Sequence, residues 1–170
     1  MVRRGAERTG TAPALYSPEE RIRRDNSVWT IVQGVLAPVQ FLIFLVSLVL
    51  VIRFLVTGHG FGAAMASVIV KTVALYAIMI TGSIWENEVY GRYLFAPAFF
   101  WEDVVSMLVL ALHTAYLATA LTDTLGPREL MLLALAAYAS YVVNAGQFLW
   151  KLRAARLQQT GSATMTGAVA

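Results

Sequence analysis

Residues 35–56 read VLAPVQFLIFLVSLVLVIRFLV, and this stretch decides the fold class. A bilayer core about 30 Å thick is crossed by roughly 20 apolar residues in a helix. No formal charge occurs from residue 26 to residue 52, so a first span over about 30–56 is long enough to cross. Three further stretches qualify. The second covers 61–88 and is interrupted only by Lys71 before its acidic end. The third covers about 97–121, is uncharged from Val104 to Thr122 and contains His113. The fourth covers 129–151 and is uncharged from Leu130 to Trp150. None alternates apolar and polar residues as a membrane barrel strand does.

The rest of the chain agrees. Its 170 residues are 58% hydrophobic and 14% charged, with mean hydropathy +0.65. Soluble domains hold about 25% charged residues. The expected fold is all-α: a polytopic membrane four-helix bundle with a polar interior, in one domain over 16–158. Disordered tails are expected at 1–15 and 159–170, which are rich in Gly, Thr, Ala and Ser. Ser17-Pro18-Glu19-Glu20 has the form of a capping box, so a short helix through Arg24 is expected before the first span. The first apolar run is too long for a signal core, and no cleaved signal is expected. Pro97 and Pro127 suit the first turns of spans three and four, where a missing N–H costs nothing. The absence of cysteine excludes disulfides, thiolate metal sites, iron–sulfur clusters and a cysteine nucleophile.

The net charge of +3 does not point to nucleic acid, because the positive residues flank the apolar runs. Arg3, Arg4, Arg8, Arg21, Arg23 and Arg24 precede span one, and Lys151, Arg153 and Arg156 follow span four. The first and third links hold only Arg53 and Arg128. Lys and Arg favour the cytoplasmic side. Both termini and the second link are therefore expected there. Trp29, Trp85, Trp101 and Trp150 each fall at that end of a different span, either as an interfacial belt or as walls for a flat aromatic ligand.

Polar groups inside a bilayer are costly and turn toward the bundle interior. Gln33, Gln40 and Ser47 recur every seven residues on span one. Ser67, Lys71 and Gly82 share a face of span two; Glu102, Ser106 and His113 share one on span three; Ser140, Asn144, Gln147 and Lys151 form a stripe on span four. Lys71 and His113 fall at matching depths and are expected to be neighbours. Gly58-His59-Gly60-Phe61-Gly62 has the look of a phosphate loop, but it follows a membrane helix and no strand.

The chemistry concentrates at the cytoplasmic end. Glu86, Glu88, Glu102 and Asp103 stand against a single Arg92 between them. Glu86 and Glu102 each sit beside a tryptophan at a membrane boundary, where lost solvation favours a protonated carboxyl. A protonated carboxylic acid donates a proton and an ionised neighbour accepts one, so these acids form a candidate acid/base pair without a metal. The bland alternative is that they are solvated or paired with Arg92, Arg24 or Lys151. His113 reads first as a hydrogen-bonded core group; its neutral imidazole is otherwise suited to ligate the metal of a tetrapyrrole.

Several stretches resemble the 3-vinyl bacteriochlorophyllide hydratase family of bacteriochlorophyll biosynthesis. They are VWTIVQGVLAPVQF at 28–41, KT at 71–72, YAIM at 76–79 and IWE at 84–86. GRYLFAPAFFWEDVVS at 91–106 is the densest, followed by ALHTAY at 111–116 and VVNAGQF at 142–148. The resemblance implies a hydro-lyase that adds water across the C3 vinyl group of chlorophyllide or bacteriochlorophyllide, giving a 3-(1-hydroxyethyl) product. It implies no cofactor, since the substrate carries its own magnesium. A bacterial cytoplasmic, photosynthetic membrane is the expected location, with neighbouring pathway enzymes as partners besides the lipid bilayer.

In this reading Glu86 or Glu102 is the acid, with Asp103 or the other glutamate orienting water. Asn144, Gln147 and Gln40 hold water or a substrate carbonyl, Trp85 and Trp101 face the ring, and Arg92 or Lys151 receives the propionate. His113 is a possible axial ligand to the substrate's magnesium. Two other readings use the same residues: a non-catalytic tetrapyrrole-binding or pigment-delivery subunit, and a small transporter with Lys71, His113 and the acids as a proton path.

Overall fold

A computed structural model describes residues 15–167, with the backbone alone for 155 and 157–167. Five helices account for the regular structure among these residues: α1 Pro18–Asn26, α2 Val28–Thr57, α3 Phe61–Tyr90, α4 Phe100–Leu121 and α5 Pro127–Gly167. Four of them, α2, α3, α4 and the Pro127–Ala154 part of α5, are long and apolar enough to cross a membrane. The chain is a membrane protein. Residues 1–14 and 168–170 of the expected disordered tails lie outside the described residues. The helical backbone of α5 continues through 159–167, where the sequence reading puts a tail.

Local signals explain the boundaries. The capping box at Ser17 is formed, with Glu20 N–H on Ser17 Oγ at 3.2 Å and Ser17 N–H on the Glu20 carboxylate at 2.7 Å. Ser17→Ala is expected to destabilise α1 by about 1 kcal/mol, read as faster amide exchange over its first turn. Tyr16 is buried against Tyr90 with the Arg24 guanidinium over its ring, and burial pushes its hydroxyl above the ordinary phenol range. The glycines of the α2–α3 link have a plain role. Gly58 and Gly60 take left-handed φ values of 72° and 88°, ending one helix and starting the next.

One start differs from expectation. Pro127 opens α5 as expected, but Pro97 stands in the turn before α4, which begins at Phe100. Glu86 and Asp103 draw the backbone N–H groups of Ala96 and Phe95 into the loop, and Phe95 adopts a left-handed φ of 60°.

The spans form two antiparallel hairpins, α2 with α3 and α4 with α5, packed on each other through α2–α5, α3–α4 and α3–α5. Lipid offers no hydrophobic drive for this, so close packing and interhelical hydrogen bonds must supply it. Ala64, Val68, Ala134 and Ala137 are fully or almost fully buried. Ser47 on α2 bonds to Ser67 of α3 at 2.7 Å and to Tyr138 of α5 at 2.5 Å. Phe44 packs between Tyr138 and Tyr141, with centroids 5.3 and 5.0 Å away. Pro38 lies on an exposed face inside α2.

Candidate functional site

The last turn of α3, the loop 91–99, the first turn of α4 and the 146–154 part of α5 meet at one end of the bundle. Acids in the first turn of α4 suit the positive end of that helix. Glu86, Glu102 and Asp103 are all buried, at 4%, 6% and 7% exposure. Glu88, the fourth acid, is exposed and accepts the Ser27 hydroxyl at 2.6 Å.

The three buried acids have different partners. Glu86 Oε1 accepts the Ala96 N–H at 2.8 Å, and Asp103 Oδ2 accepts the Phe95 N–H at 2.7 Å. The two carboxyl groups are near enough to hydrogen-bond to each other. A hydrogen bond between two carboxyl oxygens needs a proton on one of them. Glu102 instead pairs with Lys151 at 2.5 Å, and Lys151 also donates to the Ala98 carbonyl oxygen. Asp103 follows Glu102 directly in the first turn of α4, which brings the ion pair and the loop-bound carboxyls to the same end of the bundle.

An open groove of about 560 Å³ runs beside this ion pair, lined by Glu102, Gly146, Gln147, Trp150, Lys151 and Ala154. Its size lies within the roughly 300–1,000 Å³ of small-molecule sites. Glu102 is the one acid of the cluster that lines it. The indole of Trp150 is 80% exposed beside it. A second groove of about 380 Å³, bounded by Leu42, Ile43, Val46, Ser67 and Val70, carries one hydroxyl and no acid.

The other sequence-predicted residues fall into three groups. Gln147 lines the groove. Trp85, Arg92 and Trp101 stand at the same end but outside the lining: Trp85 is tied down by its Nε1–H on Thr30 Oγ1 at 2.9 Å, Trp101 is 69% exposed, and Arg92 is exposed on the loop. Gln40, Asn144 and His113 are buried deeper among the helices. Asn144 donates to Ser106 Oγ at 2.8 Å, and His113 is sealed at 0% exposure. Gly146 and Ala154 were absent from the expected site, and Trp150 figured in it only as a general aromatic. The i, i+3, i+4, i+7 spacing of Gln147, Trp150, Lys151 and Ala154 on one helix face is the signal that finds Trp150 and Ala154. Among the described residues, no three His, Asp or Glu side chains are grouped to hold a metal ion.

The family model described as 2-vinyl bacteriochlorophyllide hydratase matches residues 16–154. A protein of that name from Rhodobacter capsulatus is 64% identical over 145 residues, covering 85% of this chain and 84% of its own. Another from Cereibacter sphaeroides is 60% identical over 153 residues, covering 86% of this chain and 94% of its own. No solved structure matches the chain.

Proposed function

The chain belongs to the 2-vinyl bacteriochlorophyllide hydratase family and is a membrane enzyme of bacteriochlorophyll biosynthesis that hydrates a vinyl group; from that premise we propose how its residues do so. The substrate is a chlorophyllide or bacteriochlorophyllide, and its vinyl (position 2 in one ring numbering, C3 in the other) becomes a 1-hydroxyethyl group. One observation carries the reading: Glu102 belongs both to the group of buried carboxyls and to the wall of an open groove.

Glu102 protonates the terminal vinyl carbon. The π bond breaks toward that proton and leaves a cation on the ring-side carbon, which the macrocycle delocalises. Water bonds to this carbon through oxygen and returns a proton to Glu102, so one carboxyl serves both steps. The sum is one alkene plus one water. No electrons are lost or gained, so the reaction asks for no redox cofactor, and the magnesium is the substrate's own.

Glu102 rests in an ion pair with Lys151. The substrate's propionate competes for the Lys151 ammonium, and the proton held between Glu86 and Asp103 then reaches the released Glu102. Gln147, in the groove wall, orients the attacking water, and Trp150 offers its face to the macrocycle. Arg92 supplies a second cation at the same end, near Trp85 and Trp101. Asn144 and Gln40 act from the interior. His113 stays out of substrate contact in this reading. The arginine distribution supports placing both termini and this end of the bundle at the cytoplasmic face of the photosynthetic membrane. A lipophilic substrate there favours transfer from neighbouring pathway enzymes within the membrane.

The deciding experiment incubates purified protein with the vinyl substrate in heavy-oxygen water. The product is expected to contain one heavy oxygen; pigment returned unchanged would overturn the reading. Esterifying the propionate is expected to lower kcat/KM about tenfold or more, the scale of a lost charge pair. In Lys151→Met the acid and its ester are expected to react alike, and a tenfold difference surviving there would remove Lys151 from propionate binding.

A further inference from the structure

Halfway along the spans lie buried polar atoms that the reaction above does not use. Lys71 is fully buried with no hydrogen-bond partner on Nζ, which sits 3.8 Å from the Tyr141 ring centroid. His113, expected at a matching depth, is also fully buried. Its Nδ1 is 2.8 Å from the Val109 carbonyl oxygen, which only accepts. Nδ1 therefore bears the hydrogen, and in the neutral ring Nε2 is an acceptor with no partner. The Tyr116 hydroxyl, Gln40 Nε2 and Asn144 Oδ1 are likewise buried and unpartnered among the described residues.

These five groups have mixed chemistry. Lys71 and Gln40 donate, His113 and Asn144 accept, and Tyr116 does either. An anion is met by donors and a cation by acceptors, so a mixed set fits neither and fits water. A buried polar group left bare is penalised by its lost solvation, and buried water occurs at roughly one molecule per 27 residues.

Four of the groups, Lys71, His113, Gln40 and Asn144, are also linked in space through the aromatic core. The His113 ring lies 5.9 Å from Tyr138, and Phe44 touches both Tyr138 and Tyr141. Gln40 is one turn from Phe44, and Asn144 is one turn from Tyr141 toward the carboxyl end. Asn144 then bonds to Ser106, which stands one turn from Glu102 and Asp103 on α4.

We propose that Lys71, His113, Tyr116, Gln40 and Asn144 enclose a file of internal water molecules that ends, through Asn144 and Ser106, at Glu102 and Asp103. Lys71 and His113 are its positioning residues at the closed, mid-membrane end. That the molecule at the carboxyl end of this file is the one consumed in the groove rests on the hydration reading.

The composition makes the test selective. The chain has two lysines, Lys71 and Lys151, and two histidines, His59 and His113. Nitrogen-15 labelling of these two residue types in the full chain, held in lipid nanodiscs, yields two side-chain environments for each. Magnetisation from water is expected to reach the Lys71 ammonium and the His113 ring, and Lys71→Met is expected to shift His113 Nε2 but not His59. Silence at both Lys71 and His113 in the unaltered protein overturns the proposal and needs no variant. Asn144→Leu is expected to lower kcat about tenfold to a hundredfold, as misplaced reactants do, at constant KM and with the His113 water signal kept. Undiminished kcat in that variant overturns the connection to the carboxyls. Water at His113 in a protein that never hydrates pigment supports the file and overturns the reaction reading alone.

Discussion

Glu102→Gln is expected to lower kcat for vinyl hydration by about a hundredfold to ten-thousandfold, the contribution usual for a general acid–base group. The amide keeps the shape of the carboxyl and still accepts from Lys151, so the groove wall stays in place. What it loses is the exchangeable proton. KM is therefore expected to change much less than kcat, and substrate binding followed by pigment fluorescence should remain. If Glu102→Gln hydrates at the parental rate, the carboxyl that faces the groove is not the one that protonates the vinyl group.

Glu86 and Asp103 are expected to split into two effects, one on stability and one on turnover. Glu86→Leu removes the acceptor of the Ala96 N–H, and Asp103→Ala removes that of the Phe95 N–H. Each strands a buried or part-buried donor at a cost of about 1–3 kcal/mol. The double change is expected to release the loop 91–99, lower the melting temperature and abolish activity together. Glu86→Gln behaves differently, since its amide oxygen still accepts from Ala96 and its NH2 donates to Asp103. That variant is expected to melt like the parent yet turn over up to about a hundredfold more slowly, because the shared proton is gone. Parental turnover in Glu86→Gln would leave the pair as a loop clamp only. Parental turnover in both glutamine variants would remove the carboxyl mechanism altogether.

The clamp explains why the site was only partly legible. Composition and spacing point to Glu86, Glu102 and Asp103 as a group, and all three are buried. They do not separate the roles. Glu102 and Asp103 are consecutive and differ by about 100° around α4; one faces Lys151 and the groove, the other faces Glu86 and the loop. That difference depends on the rotation of α4 against α3 and α5, which no local pattern encodes. The same holds for Pro97: a proline suited to a first helical turn stays outside the helix because distant carboxylates bind the backbone just before it.

The amino-acid sequence alone determined the four spans and the acidic end, because span length and composition are properties of short stretches in a fixed solvent. Tertiary packing decided which polar residue faces what. It set Glu102 and Gln147 on an open groove beside Trp150, locked Glu86 and Asp103 onto a loop, and sealed Lys71 and His113 at mid-depth. The physical reason is that each helix offers one polar seam, and only the relative rotation and depth of four packed helices select the groups that meet across it.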